Sequence, residues 1–313
     1  MAVTIPTVFV VAATSPMGGA LSRQLRDLGW TIRAMARDAD KPAARSIKAI
    51  GVNLVQGDWS DYEHLRQQLR GVDLLFLPLP DDIRPDEFLD GQVEQARNIL
   101  RIARDEGVRQ IVYVSGMGCN DLDNWGVRWD AAPPTTKSIE SKHAIESLVR
   151  ASNCPLGYTI LRPGFFMANF VGAKGAGYTA SVGWKTALRP ETGLPLVDHE
   201  DIARFAIAAF RDPEKFRGAE IALFSELTEL RTLSGFVSGA TGKRLKVSFV
   251  REQDGEEGVA SPFVSAQVAM QNISRFAGEG SPGKKWGVDM TTLEDFLRRE
   301  GEASGEAHAE LGG

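Results

Sequence analysis

At 313 residues and 43% hydrophobic, the chain can bury a substantial core as one large or two small domains. Its net charge is −5 with no run of Lys or Arg, and no apolar stretch reaches the roughly 20 residues that span a bilayer, which argues against nucleic-acid and membrane partners. The N-terminus shows no secretory pattern, the two cysteines (Cys119 and Cys154) form no CxxC pair, and the four histidines lack zinc spacing, so the expectation is a cytoplasmic protein without a metal site.

Thr7–Ala13 is an apolar, β-branched run that reads as a buried parallel strand. Leu21, Leu25 and Leu28 then recur at helical spacing within Gly18–Leu28, with Gly29 at the C-cap. Strand Thr31–Ala36, helix Pro42–Ile50, strand Val52–Gln56, helix Tyr62–Leu69 and strand Asp73–Leu77 follow. A long helix from about Pro85 to Glu106 precedes strand Gln110–Ser115, helix Thr136–Ala151 and strand Tyr158–Leu161. This alternation predicts an α/β fold, a Rossmann-type doubly wound parallel sheet, with residues 1–165 as a dinucleotide-binding domain. Residues 166–300 read as a smaller mixed substrate-binding region, some of whose elements return to the main sheet. Within it, Gly172–Pro195 is irregular, Asp198–Arg211 an amphipathic helix, and Ile221–Phe224 and Leu245–Val250 strands around a helix. Glu252–Gly258 reads as a polar loop, and residues 301–313 as a disordered tail.

In such a sheet the ligand lies in the crevice at the strand carboxyl ends. The first strand–helix turn reads Ala12-Ala-Thr-Ser-Pro-Met-Gly-Gly19. Small residues there let backbone N–H groups and the helix dipole reach a pyrophosphate. Against a GxxGxxG spacing, Ala12 and Ser15 replace the first two glycines and Gly18 remains. Ser15 and Pro16 make a good N-cap and first helical residue, so a capped helix that binds nothing stands beside the phosphate-site reading. Leu77 and Pro78 end the fourth strand where a cofactor would cross the sheet.

The turn, the string Ala34–Asp38, the pair Gly57-Asp58, the segment Tyr158–Phe170, Ser141-Lys142 with Glu146, and Val197-Asp198 with Asp201-Ile-Ala203 together resemble the NmrA-like proteins. These are atypical members of the short-chain dehydrogenase/reductase superfamily, akin to isoflavone reductase-like enzymes. The resemblance runs from Thr7 to Val250 and weakly to Leu297. It implies NADP as cofactor, held by Thr14, Ser15, Met17 and Gly18 at the turn, by Arg37 on the 2′-phosphate, and by Asp58 at the adenine. Leu77, Pro78, Lys142, Pro163 and Phe166 would lie along the nicotinamide half. Mainstream relatives place a catalytic Tyr four residues before a Lys, and here that position is Ser138. The resemblance therefore makes Lys142 the proton-transfer residue, with Ser115 as a substrate contact. The plain alternatives are a surface Lys142 pairing with Glu146 at i, i+4 and a Ser115 that ties its own turn.

Trp125, Trp129, Phe170, Trp184, Phe263 and Met270 offer apolar surface for a bulky ligand, or plain core. Three functions remain open: an NADP-dependent oxidoreductase acting on a bulky apolar small molecule of secondary metabolism, a non-redox isomerase or epoxide-rearranging enzyme, and an NADP(H)-sensing regulator. The expected partner is a small-molecule substrate, and the chain is read as a monomer or homodimer.

Overall fold

Val8, Phe9, Val10 and Val11 are fully buried, which is how an apolar run behaves when a sheet is covered on both faces. In the computed structural model, which describes residues 5–80, 91–125, 133–171, 184–241, 247–249, 267 and 270–310, this run forms β1 (Thr7–Val10). There follow α1 (Pro16–Asp27), β2 (Thr31–Ala36), α2 (Pro42–Ala49), β3 (Asn53–Gln56), α3 (Tyr62–Leu69), β4 (Leu74–Leu77), α4 (Gln92–Asp105), β5 (Gln110–Val114), α5 (Pro133–Arg150) and β6 (Gly157–Pro163). The remainder is β7 (Phe165–Phe166), β8 (Trp184–Thr186), β9 (Gly193–Val197), α6 (His199–Arg211), α7 (Pro213–Phe216), β10 (Ala219–Leu223), β11 (Glu226–Glu229), α8 (Leu230–Thr241), β12 (Val247–Phe249), α9 (Gly283–Trp286) and α10 (Leu293–Glu310). Residues 81–90, which hold the expected start of the long helix, and Glu252–Gly258 lie outside the described residues.

Seven strands make one sheet in the order β10-β6-β5-β4-β1-β2-β3. Neighbours run parallel, with Val10 opposite Ala34 on β2 and Phe76 on β4. Along the β6–β10 edge, Gly218 N donates to the Tyr158 carbonyl and Gly164 N to that of Leu223, so these strands also rise together. This is the doubly wound parallel sheet that the sequence predicts, with the crossover reversing between β1 and β4.

The chain divides into two compact units, Met1–Asn120 with Lys137–Arg162 and His199–Ile221, and Asp121–Thr136 with Pro163–Asp198 and Ala222–Gly313. The first unit therefore takes in α6, which the sequence pattern places in the C-terminal region. Arg23 Nη2 and Gln24 Nε2 on α1 reach Glu200 on α6 at 3.1 and 2.6 Å. In the second unit, β9 pairs antiparallel with β11 and parallel with β7, and β12 lies parallel to β8. The expected irregular segment Gly172–Pro195 thus contains β8 and the start of β9. Helix α10 also runs through Glu310, across most of the stretch that reads as a disordered tail. Ala and Glu dominate 302–310, and both are strong helix formers. Among the described residues, no helix is long and apolar enough to cross a membrane.

Helix α5 is fixed by charge. Glu146 is fully buried and accepts from Arg162 Nε and Nη2, each at 2.7 Å, and from Arg150 Nη2 at 2.8 Å. Arg150 and Arg162 also hold Glu220 of β10. The four groups tie α5 to β6 and β10, and removing one partner of such a buried pair strands the other at a cost of about 3–5 kcal/mol.

Two measurements check these features. Ala12 has φ 51°, a left-handed conformation that costs an L-residue about 1–2 kcal/mol. Ala12→Gly should remove that strain against Gly's larger unfolded-state entropy, for a net gain of about 0.5–1 kcal/mol in urea unfolding. The carboxyl of Glu220 is held down to about 2, chiefly by hydrogen bonding to Arg150, against an ordinary 4.5. A depressed carboxylate contributes stability that is present above 4.5 and is lost as pH falls toward 2. With partial exposure discounted, about 1–2 kcal/mol should disappear across that window, and Glu220→Gln should show a flatter acid limb in thermal unfolding.

Candidate functional site

A parallel sheet brings the ends of its strands to one edge, and the strand order sets their sequence along it. Past β3, β2, β1, β4 and β5 stand Asp58, Arg37, the turn 12–18, Leu77-Pro78 and Ser115, in that spatial order. In the turn, Ser15 N donates to the Ala12 carbonyl at 2.8 Å, and Ser15 Oγ caps α1 by accepting from Gly18 N at 3.1 Å. Gly18 is required by packing, since a Cβ there would lie 2.2 Å from the Ala12 carbonyl oxygen. No acidic residue occupies the first turn of α1, so the positive end of its dipole is left for an anion. Thr14 is exposed, while Ser15 and Met17 are half-buried.

Arg37 is exposed and forms no ion pair or hydrogen bond among the described residues. Its neighbour Asp38 turns inward on its own loop, Oδ1 accepting from Asp40 N at 3.0 Å. Asp58 likewise accepts from Ser60 N and Oγ at 2.9 and 2.7 Å. The guanidinium is therefore the uncommitted charge at the end of β2. Together with the acid-free helix end, it fits a phosphorylated dinucleotide. Leu77 and Pro78 are buried, so their side chains belong to the core.

A cluster forms at the end of β5. Ser115 N is held by the Leu161 carbonyl at 2.8 Å, yet Ser115 Oγ, in a residue only 5% exposed, finds no partner among the described residues. Beside it, the Lys142 stem passes Gly116, its Cδ 3.5 Å from where a Cβ would sit. Lys142 Nζ donates to Ser138 Oγ at 2.9 Å. The alternative pairing with Glu146 is not formed there, because Glu146 is closed on the two guanidiniums. Burial pushes the Cys119 thiol up to about 11, with the Lys142 charge pulling the other way. The thiol lies close to the Ser115 hydroxyl but short of hydrogen-bond geometry. His143, which its sequence context does not single out, has Nδ1 2.8 Å from the Cys119 carbonyl and so ties α5 to this loop.

In the second unit, Gly164 follows Pro163 with no room for a side chain, since a Cβ would meet the Pro195 carbonyl oxygen at 2.1 Å. Phe165 stacks on Phe170 at 5.4 Å, and Phe165 and Phe166 are half-buried. Trp125 and Phe170, two of the candidate ligand-facing aromatics, are core residues. Trp125 is 2% exposed and packs on Phe276 at 4.9 Å. Trp129 and Phe263 lie outside the described residues, as does the Trp184 side chain. Arg162 lies inside the motif segment Tyr158–Phe170 but is not among the candidate site residues, although a lone charge at the end of the apolar run Tyr158–Leu161 is a signal for a buried counter-ion. Among the described residues, no three His, Cys, Asp or Glu side chains gather as metal ligands.

The chain is 22% identical over 262 residues to an NmrA-like family domain-containing oxidoreductase of Penicillium ochrochloron, covering 79% of this chain and 76% of that one. It is 30% identical over 202 residues to a (4-alkanoyl-5-oxo-2,5-dihydrofuran-3-yl)methyl phosphate reductase of Streptomyces griseus, covering 64% and 62%. An NAD(P)H azoreductase of Xenophilus azovorans matches at 27% over 66% of this chain and 64% of its own. Among solved structures, a Citrobacter triphenylmethane reductase complexed with NADP(H) superposes with a TM-score of 0.70 at 21% identity, over 93% of this chain and 99% of that chain. A negative transcriptional regulator, NmrA, gives 0.72 at 20% identity, over 96% and 98%. The family model for NmrA-like proteins matches residues 5–297, and the chain belongs to the NmrA-like family.

Proposed function

We propose that this protein is an NADPH-dependent oxidoreductase that reduces a bulky apolar small molecule, with Lys142 as its proton donor. The observation that carries this is the cluster at the end of β5, where the buried hydroxyl of Ser115 has no partner among the described residues and the Lys142 stem packs against the following Gly116. A buried hydroxyl without a partner is costly, and a substrate polar atom would satisfy it. The names of its relatives support reductive chemistry on such molecules, azo and triphenylmethane compounds among them.

When bound, NADPH supplies the hydride. The N-terminus of α1, with Thr14, Ser15, Met17 and Gly18, would hold the pyrophosphate. Arg37 would take the 2′-phosphate and Asp58 the adenosine end. Leu77 and Pro78, with Lys142, would lie along the nicotinamide end. Ser115 Oγ would orient the substrate's polar atom, and Lys142 Nζ would deliver a proton to it. The Cys119 thiol, held neutral by burial, leaves that duty to Lys142. A second reading, proton chemistry without redox, draws on Ala12, which puts a methyl where family turns carry glycine. The two readings part on whether turnover consumes NADPH.

Arg37→Ala should lose about 1.5–3 kcal/mol of NADPH affinity by calorimetry, as for a charge-assisted hydrogen bond, and leave NADH unaffected. Equal affinity for both cofactors in the parent protein would sink the phosphate assignment. Lys142→Met keeps the stem and removes the charge, and should lower turnover by about 10²–10⁴-fold with an unchanged melting curve. Near-parental turnover in NADPH-coupled assays across quinones and azo dyes would remove Lys142 from the mechanism.

A further inference from the structure

The ladder between β2 and β3 ends at Gly57, whose N donates to the Ala36 carbonyl at 3.0 Å. A Cβ on Gly57 would lie 2.4 Å from Met35 Cε and 2.8 and 3.0 Å from His64 Nδ1 and Cε1. The strand end thus goes without a side chain, and an imidazole lies across the space one would fill. Glycine in a strand marks such a close approach. Side chains alternate along a strand, so Met35 and the His64 ring mark one face of the β2–β3 end. Arg37, two residues after Met35, is the next residue on that face.

The cap of α3 sets the start of the helix that carries this ring. His64 N donates to Asp61 Oδ1 at 3.0 Å, and Asp61 is the capping residue. His64 is half-buried, yet neither ring nitrogen has a partner among the described residues. The carboxylate at the end of β3, Asp58, accepts from Ser60 instead.

We propose that His64 is a specificity-determining residue for the cofactor, its imidazole N–H donating to the 2′-phosphate beside Arg37. The inference rests on the reading of this edge as an NADPH site. A neutral imidazole keeps one N–H, so the contact needs no charge on the ring. Arg37 brings the charge on a long exposed side chain. His64 brings a donor already packed in place over Gly57, which loses less freedom on binding.

Calorimetric titrations with NADPH and with NADH compare the parent protein with its variants. His64→Phe keeps a ring over Gly57 and removes both nitrogens. It should weaken NADPH binding about ten-fold, the scale of one hydrogen bond to a charged group, and leave NADH unchanged. His64→Gln, which keeps an N–H donor, should bind NADPH much as the parent does. Parental NADPH affinity in His64→Phe overturns the inference, and an Arg37→Ala variant that still loses NADPH then leaves the cofactor reading standing. Equal losses for NADPH and NADH also overturn it, because the ring then serves the adenine or the packing of α3. A parent protein that binds neither cofactor removes the cofactor reading itself, and this inference with it.

Discussion

The bidentate pair between Glu146 and Arg162 is the interaction on which the candidate site depends. A carboxylate with no solvent contact is tolerable only when its lone pairs are filled, and here two guanidiniums fill them. Since Arg162 sits on β6 and Glu220 on β10, the network fixes the rotation of α5 about its axis. Ser138 and Lys142 lie two turns and one turn before Glu146 on the same helix, so their direction follows from that setting.

A second constraint acts further along the sheet edge. Helix α1 approaches β1 so closely that Gly18 has no space for a methyl, and the chain enters α1 through a left-handed Ala12. Backbone strain of this kind persists where the surroundings over-determine it. Here they are the Ser15 cap, the Ser15 N to Ala12 hydrogen bond and the pairing of Val11 N with the Phe76 carbonyl. The same contacts that hold the strained residue keep the turn tight enough for an anion to reach the helix end.

Much of this is legible in the sequence because it is local. The bounds of β2 and α3 follow from residue pattern, and the Ser15-Pro16 cap from side-chain chemistry alone. The left-handed Ala12 is not legible, since alanine gives no sign of positive φ as glycine does. Nor is the Glu146–Arg162 pair, whose members are 16 residues apart and meet only through the packing of α5 against β6. Sequence spacing offers Lys142 as the partner of Glu146, a weak surface-type interaction. The guanidinium fork wins because it supplies two parallel donors to one carboxylate in a buried setting. Trp125 illustrates the opposite failure: an aromatic in an irregular stretch looks free for a ligand, but it packs on Phe276, in a contact sequence position cannot show.

Charge placement along the edge follows the same logic as the core. The chain is acidic overall at −5, yet the acids near the strand ends spend their carboxylates on their own turns, Asp38 on Asp40 N and Asp58 on Ser60. The cations are treated differently. Arg37 stays exposed, Lys142 leans on a hydroxyl, and the end of α1 carries no acid. Arg37 and the acid-free end of α1 thus stand as positive features along one edge of an acidic protein. A field of that sign, backed by an apolar sheet that focuses it, favours an anion near the ends of β2 and β1.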